Sequence, residues 1–314
     1  ATASLEMKLV KGSTSEPRFT DWMGDYRKFL GDSPDAIYHT AELSSQYHYE
    51  ITGNRRDAEY LGFVLYGKQI NGWNRVAGSL SSASLKFDKA GNFRIVISEN
   101  EPADPDVDWL ELESDIHMVM VRQYFHGRDG KTQALVAIRN MQAQESKSLA
   151  SAPLANGLRN ASSFFNSTLD GAIALSQMFA GGPNSITPPK TYNSDFGGVF
   201  YPTEDNEYHG AWFRLAEDEA LVIEGAVPDA PYWGISLQNR WMQSLNYQDY
   251  QIALNDHQIV TEQGRFRVVI SHQKPPSGHW LDTTGHSEGI VSIRYQQPSA
   301  SEVPSLKLVK FDTL

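Results

Sequence analysis

The chain has 314 residues, with 40% hydrophobic and 21% charged side chains and a formal net charge of −11; this is the composition of a globular protein with room for about two domains. The negative charge argues against non-specific binding to nucleic acid or to anionic membranes, which needs clustered positive charge. The sequence has no cysteine, which excludes disulfides, thiol nucleophiles and thiolate metal sites. No window reaches the roughly 18 apolar residues of a membrane-spanning helix, and the compartment stays open between cytoplasm and periplasm.

Residues 1–32 predict a polar N-terminal arm that ends in a short helix. Phe19, Trp22, Met23 and Tyr26 recur at helical spacing, and Gly31 follows as a helix stop. We expect this helix to pack its apolar side against the domain that follows.

Two regions of β pattern flank one helical region. Residues 33–143 contain short alternating apolar runs, such as 60–67 and 93–98, broken by turn sequences; this pattern predicts a first β domain. In 144–186, apolar residues recur every three or four positions between Ser151 and Gly181, which predicts a helical connector. The β pattern resumes over 187–314 and predicts a second β domain.

The second β region repeats the first at an offset of about 172 residues. Matching pairs in the same order along the chain are Ile51/Ile223, Gly62/Gly234, Arg94/Arg267, Trp109/Trp280 and Arg122/Arg294. So many identities in one order indicate an internal duplication. We therefore predict a mainly β protein of two tandem, duplicated antiparallel domains of β-sandwich or jelly-roll type, joined by a helical connector.

Polar residues that only the second copy carries are the better candidates for function, because residues shared by both copies are explained by the shared fold. They fall on neighbouring connections, which cluster at one end of a sandwich. The candidate catalytic residues are Asn239, Arg240, His257, His272 and His286. The candidate substrate-binding residues are Trp241, Tyr247, Trp280, Asp282 and Thr284.

These residue types fit acid–base chemistry without a cofactor. A histidine side chain can exchange a proton near neutral pH, and Asn239 with Arg240 can stabilise a developing oxyanion. The sequence lacks the GxSxG elbow of serine hydrolases and a Gly-rich nucleotide loop. A metal held by His257, His272 and His286 stays an alternative, although no HxH or HExxH spacing supports it.

The chain resembles the bacterial family DUF1214, which often occurs with DUF1254. The resemblance covers about residues 31–296, and it is strongest over 232–245, 255–257 and 280–286, with a further likeness in the GDSPD sequence at 31–35. Two positions depart from the family pattern: Lys274-Pro275-Pro276 replaces a DPG turn, and His279 replaces an Asn. The resemblance implies a two-domain β fold, with a DUF1254-like first and a DUF1214-like second domain, and some association with the breakdown of aromatic compounds.

We therefore predict a cofactor-independent acid–base enzyme, with a lyase favoured, that acts on a small aromatic or apolar compound at the loop end of the second domain. A non-catalytic module that binds carbohydrate or protein is the alternative, and a His-ligated metal enzyme is a further one. We expect no nucleic acid and no membrane span, and leave a homo-oligomer open. An enzyme predicts a concave site where His272, Arg240 and His286 converge, whereas a binding module predicts a shallow strip of exposed aromatic residues.

Overall fold

The computed structural model describes residues 13–69, 74–142, 151–180, 182–187, 201, 203 and 205–314. Within these residues the chain forms eighteen strands, one α-helix and one short 3-10 helix at Phe311–Thr313. It divides into two compact units. The first unit contains residues 1–27, 36–170 and 192–204, and the second contains 28–35, 171–191 and 205–314.

The first unit is built from two sheets. One has the strand order β1-β2-β8-β4-β5 and the other β7-β6-β3-β9. In chain order the strands are β1 Thr20–Met23, β2 Ala36–Glu42, β3 Tyr49–Asn54, β4 Tyr60–Lys68, β5 Asn74–Ser81, β6 Asn92–Ser98, β7 Asp108–Glu111, β8 Ile116–Tyr124 and β9 Leu135–Asn140.

The second unit has the same two-sheet plan. The sheet orders are β10-β11-β17-β13-β14 and β16-β15-β12-β18. The strands are β10 Ile186–Thr187, β11 Asn206–Arg214, β12 Glu219–Ala226, β13 Tyr232–Gln238, β14 Ala253–Asn255, β15 Arg265–Ser271, β16 His279–Asp282, β17 Glu288–Gln296 and β18 Ser305–Lys310.

Each unit buries one core between its two sheets. In the second unit, Ile223 and Ile270 from one sheet pack in the same cluster as Trp233, Ile235 and Ile293 from the other. Side chains alternate between the faces of a strand, so the apolar positions of both sheets point toward each other and form a two-layer sandwich. The predicted mainly β, duplicated fold is confirmed.

The duplication extends to strand register. Gly62 pairs with Arg122 in the first unit, and Gly234 pairs with Arg294 in the second. In both units the arginine is on the central strand of its five-stranded sheet, and the glycine is on the strand beside it. Identical residues at identical register positions show that the sequence repeat is a structural repeat.

One strand pair in each unit is parallel rather than antiparallel. β6 pairs with β7 and β15 with β16 in parallel register. The repeated tryptophan adds a side-chain hydrogen bond to this strand pair: Trp109 Nε1 donates to Ser98 O at 3.1 Å, and Trp280 Nε1 donates to Ser271 O at 3.2 Å. The tryptophan that both copies share therefore stabilises the fold.

The predicted helical connector is present. Helix α1 spans Ser151–Ala180, so it begins at the predicted serine and ends before the Gly-Gly-Pro sequence. Ala161 and Ala172 are buried, whereas Leu158, Phe165 and Leu169 are exposed. No helix of the described residues is long and apolar enough to cross a membrane.

The predicted N-terminal helix is wrong. Residues 20–23 form strand β1, which pairs with β2 and buries Trp22, and the following residues are irregular. Tyr26, placed on the apolar side of the expected helix, is 92% exposed. The edge of β2 supplies hydrogen-bond partners for this segment, and such a tertiary partner outweighs a weak helical pattern that contains Gly24.

Candidate functional site

Most of the predicted site residues lie at one end of the second unit. β13 ends at Gln238, β15 ends at Ser271 and β17 begins at Glu288, and the register places Gln238 opposite Ile290. The connections that carry Asn239, His272 and His286 therefore leave the sandwich at the same end. His257 follows β14 and lies beside the opposite end of β13, because Asp256 N donates to Trp233 O.

His272 is held by the surrounding loops. Its Nδ1 lies 2.7 Å from Thr283 Oγ1, and its Nε2 lies 3.5 Å from Leu215 O. Thr283 is fully buried, so the imidazole is fixed against the body of the unit. This arrangement joins the ends of β11, β15 and β16.

Asn239 organises a tight turn rather than a cavity. Its Oδ1 accepts from Trp241 N at 2.9 Å and from Gln243 N at 3.1 Å, the pattern of an Asx turn. The turn presents Arg240 to solvent with its guanidinium 5.7 Å from the centre of the Trp241 ring. Trp241 is 43% exposed, and Tyr250, later in the same connection, is 49% exposed.

The remaining predicted residues also have local partners. Asp282 Oδ1 accepts from Thr284 N at 2.7 Å, and Thr284 has a positive φ of 51°, so both shape the loop. His286 N donates to Thr283 O, and the side chain of His286 is exposed. Tyr247 lies under the Lys28 ammonium, 3.3 Å from the ring centre.

The structure does not bring the three histidines of the predicted metal site to one place. His272 and His286 lie at one end of β13 and His257 at the other. The six residue steps from Tyr232 to Gln238 span about 20 Å at the usual rise of a strand. The three histidines therefore cannot share one ion in this fold.

A different group of polar side chains converges around the segment Lys28–Asp35, which belongs to the second unit. Asp32 is 3% exposed and accepts from Ser244 N at 3.0 Å and from Ser244 Oγ at 2.5 Å. Gly31 N donates to Met242 O at 2.7 Å. These bonds fix the segment on the connection that follows β13.

The far end of the segment is fixed as well. Asp35 Oδ2 accepts from Tyr232 Oη at 2.8 Å and from Asn255 Nδ2 at 2.9 Å. Arg294, which is 6% exposed, donates from Nη2 to Gly31 O at 2.6 Å. A buried guanidinium thus lies beside a carboxylate-bearing segment, on the face of the sheet opposite the apolar core.

These side chains line one small pocket, called here the Arg294 pocket. Its lining residues are Ser33, Asp35, Tyr232, Gly234, Ile235, Ser236, Ala253, Leu254 and Arg294. A carboxylate, a phenol, two serine hydroxyls and a guanidinium therefore face a common space, beside a wall of apolar side chains. The space between them is small, with room for about one water-sized group.

Sequence reasoning missed this pocket. Arg294 was assigned a structural role because it is repeated, and residues 31–35 entered only through a family likeness. The available signal was a set of polar residues in strands that otherwise read as buried: Ser236, Gln238 and Arg294 alternate with apolar neighbours over 232–238 and 288–296. A buried polar side chain needs a partner, and that requirement could have drawn attention to this face.

Asp32 should make the stability of the protein depend on pH. Burial raises the pKa of the Asp32 carboxyl above its usual value, outweighing the hydrogen bonds from Ser244 and the charge of Lys28. The folded state therefore favours the protonated acid, and this stabilisation is lost as pH rises through the raised pKa. We expect Asp32→Asn to gain stability relative to the wild type as pH rises above about 4, the usual pKa of an aspartate, and through the raised pKa of Asp32; urea unfolding at a series of pH values measures this gain.

Asp218→Asn is the control for this measurement. Lys310 lowers the pKa of the exposed Asp218 carboxyl, so the wild type should instead lose stability relative to this variant as pH falls below about 4. A constant difference between the wild type and Asp32→Asn at every pH would contradict the role given to Asp32.

Comparison with solved structures places the fold among uncharacterised bacterial proteins. A protein from Burkholderia cenocepacia matches with a TM-score of 0.92 and 28% identity, over 100% of this chain and 87% of that chain. The VPA0106 protein of Vibrio parahaemolyticus matches with a TM-score of 0.56 and 9% identity, over 98% of this chain and 97% of that chain, a likeness of fold alone. No curated protein matches the chain.

The family model described as "Protein of unknown function (DUF1214)" matches residues 38–126 and 198–300. The two matched ranges cover corresponding parts of the two units, in agreement with the duplicated strand register. They include the loop-end residues and Arg294, and leave out residues 31–35. The chain belongs to the DUF1214 family.

Proposed function

We propose that this protein is a non-catalytic binding module for a hydroxylated ligand of the carbohydrate class, and that the Arg294 pocket takes one hydroxyl group of that ligand. The observation that carries the proposal is the convergence of Asp35, Tyr232 and Arg294 on one pocket in the second unit. A carboxylate accepts hydrogen bonds from hydroxyl groups, and a guanidinium donates to their oxygens. A polyol offers both partners on neighbouring carbon atoms.

The loop end supports binding rather than catalysis. Arg240, His272 and His286 are not among the residues that line the Arg294 pocket, and Trp241 and Tyr250 are exposed aromatic side chains on one connection. Exposed aromatic residues of this kind are the feature expected of a binding module. The polar lining of the Arg294 pocket also favours a hydroxylated ligand over the aromatic or apolar compound predicted from sequence.

A calorimetric titration with neutral polyols and sugars tests the proposal. We expect glucitol or glucose to bind, and Asp35→Asn to weaken binding about tenfold, because a neutral amide accepts hydrogen bonds from hydroxyls less strongly than a carboxylate. Asp218→Asn removes a carboxylate from the same unit outside the pocket and should leave the affinity unchanged. Equal affinities of the wild type and Asp35→Asn would refute the assignment of the pocket.

The acid–base lyase is the second candidate, and one observation favours it. Thr283 fixes the orientation of His272 through Nδ1, as the orienting partner of a proton-transferring histidine does. If this candidate is correct, His272→Ala and Arg240→Ala should each abolish turnover of an aromatic substrate while sugar affinity at the Arg294 pocket stays intact.

A further inference from the structure

Helix α1 turns its large apolar side chains toward solvent and its small residues toward the protein. Gly157 and Ala161 are buried. Leu158, Phe165 and Leu169 are instead 47%, 43% and 38% exposed. An amphipathic helix at a protein surface ordinarily does the reverse and places its large apolar residues against the core. The outward side of this helix therefore has the composition of a packing surface.

The three exposed residues form one continuous stripe, called here the α1 stripe. At 100° per residue, Leu158, Phe165 and Leu169 lie within about 40° of one another around the helix axis and span about 16 Å along it. All three belong to the first unit. Single exposed apolar side chains are normal, but a contiguous patch of large ones marks a site for a partner.

Charge is scarce on α1 and lies beside the stripe. Arg159 and Asp170 are the only charged residues among the thirty of Ser151–Ala180, whereas the chain average of 21% would give about six. Both side chains are exposed. They lie about 20° apart around the helix axis, so they share one flank of the stripe although they are eleven residues apart in sequence.

These positions are complementary to themselves in an antiparallel pair of helices. Arg159 comes six residues before Phe165, and Asp170 comes five residues after it. A twofold axis at Phe165 places Arg159 of one copy within about 1.5 Å, along the helix axis, of Asp170 of the other. The symmetry makes this pairing occur twice. A parallel pair would instead set each charge opposite its own like charge, which is unfavourable.

We propose that the α1 stripe is the interface of a homodimer, in which two copies of the chain pack α1 against α1 in antiparallel orientation about a twofold axis at Phe165. The two Phe165 rings meet at the axis. Leu158 of one copy lies about 4.5 Å along the helix axis from Leu169 of the other, so these side chains interdigitate. Two Arg159–Asp170 ion pairs lie at the rim.

A membrane surface is the other apolar environment that an exposed stripe could enter. Helices that lie on membranes carry several Lys and Arg residues on their polar face. Helix α1 has one Arg and one Asp, so its net charge is zero and it lacks the attraction to anionic lipid. The charge pattern thus favours a second copy of the chain.

Sedimentation equilibrium of the full chain, over a range of protein concentrations, tests the dimer. We expect the mass to rise with concentration from that of one chain, 35.1 kDa, to twice that value. Phe165→Asp should weaken the dimer at least about hundredfold, because it places two unpaired charges at the centre of an apolar contact. Tyr26→Asp is the control: Tyr26 is a 92% exposed aromatic residue of the same unit outside the helix, and its substitution should leave the dimer intact.

Exchange of the two charges tests the antiparallel orientation. Arg159→Asp sets like charges opposite each other at two symmetric points and should weaken the dimer about tenfold, as should Asp170→Arg. The double variant Arg159→Asp/Asp170→Arg restores opposite charges and should recover the wild-type affinity. Melting temperatures of all variants establish that each is folded before the affinities are compared.

Three results would overturn the proposal. One is a wild type that stays monomeric at every concentration, including the case in which it sediments with phosphatidylglycerol vesicles through the α1 stripe. Another is a dimer that forms equally well in Phe165→Asp. The third is a double charge variant that dimerises no better than the two single variants, which would exclude the antiparallel pairing of Arg159 with Asp170.

Discussion

Arg294→Ala should destabilise the second unit by about 2–4 kcal/mol. The guanidinium is buried and donates to Gly31 O at 2.6 Å, so the substitution leaves the partly buried Gly31 carbonyl without this donor and opens a cavity. An unsatisfied buried group costs about 1–3 kcal/mol, and the lost packing of a long side chain adds to that cost. Urea unfolding gives the size of the loss, and hydrogen exchange should show faster exchange in β13, β17 and residues 28–35.

Arg267→Ala is the matched control for this substitution. Arg267 is on β15 of the same unit, and its Nε lies 3.3 Å from Glu224 Oε1, with both side chains about half exposed. Exposed ion pairs contribute little because both charges are well solvated, so we expect a loss below about 1 kcal/mol. If the two alanine variants lose similar stability, Arg294 does not hold the segment in the way described.

Gly53→Ala should destabilise the first unit by about 3 kcal/mol. Gly53 is on β3, between β6 and β9, where an added β-carbon would overlap the backbone carbonyl of Leu135 and the ring of Phe93. A backbone atom inside a sheet cannot move aside without breaking the ladder, so overpacking here belongs at the upper end of its usual range. Thermal unfolding would measure the effect.

Two other glycines provide the comparison. At Gly225, the equivalent position of the second unit, a β-carbon would meet only side-chain atoms, at 2.7 Å from Phe266 and 3.3 Å from Pro304. Gly225→Ala should therefore cost less than Gly53→Ala. Gly24→Ala meets nothing within 4 Å and should change stability by less than about 0.5 kcal/mol; an equal loss in all three variants would refute the steric argument.

The fold was predictable because its signals are local and occur twice. Alternating apolar residues, such as those of 93–98 and 266–271, indicate strands by themselves. Because the pattern occurs twice, it also predicts two similar units without any knowledge of tertiary contacts. The prediction of a short N-terminal helix is wrong for the opposite reason. Its pattern rested on a few aromatic residues, and pairing with β2, a contact that no local pattern encodes, decided the structure of 20–23.

The candidate site was harder to predict because its parts are distant in the sequence. The comparison of the two copies drew attention to the connections of the second unit, and the structure places His272 and Asn239 at one end of it. It could not show that His272 is hydrogen-bonded to Thr283 and that Asn239 accepts hydrogen bonds from backbone N–H groups. It also could not bring Asp35 to Tyr232 and Asn255, since the residues of this contact are 197 and 220 positions apart.

Residues 28–35 and Tyr201 have the same task in different units. Gly31 gives its carbonyl to Arg294 in the second unit, and Tyr201, 170 residues later, gives its carbonyl to Arg122 in the first. In each unit the repeated arginine therefore ties a stretch of chain that is distant in sequence to the central strand of its sheet. Loss of either arginine should release that stretch without breaking the strand ladder itself.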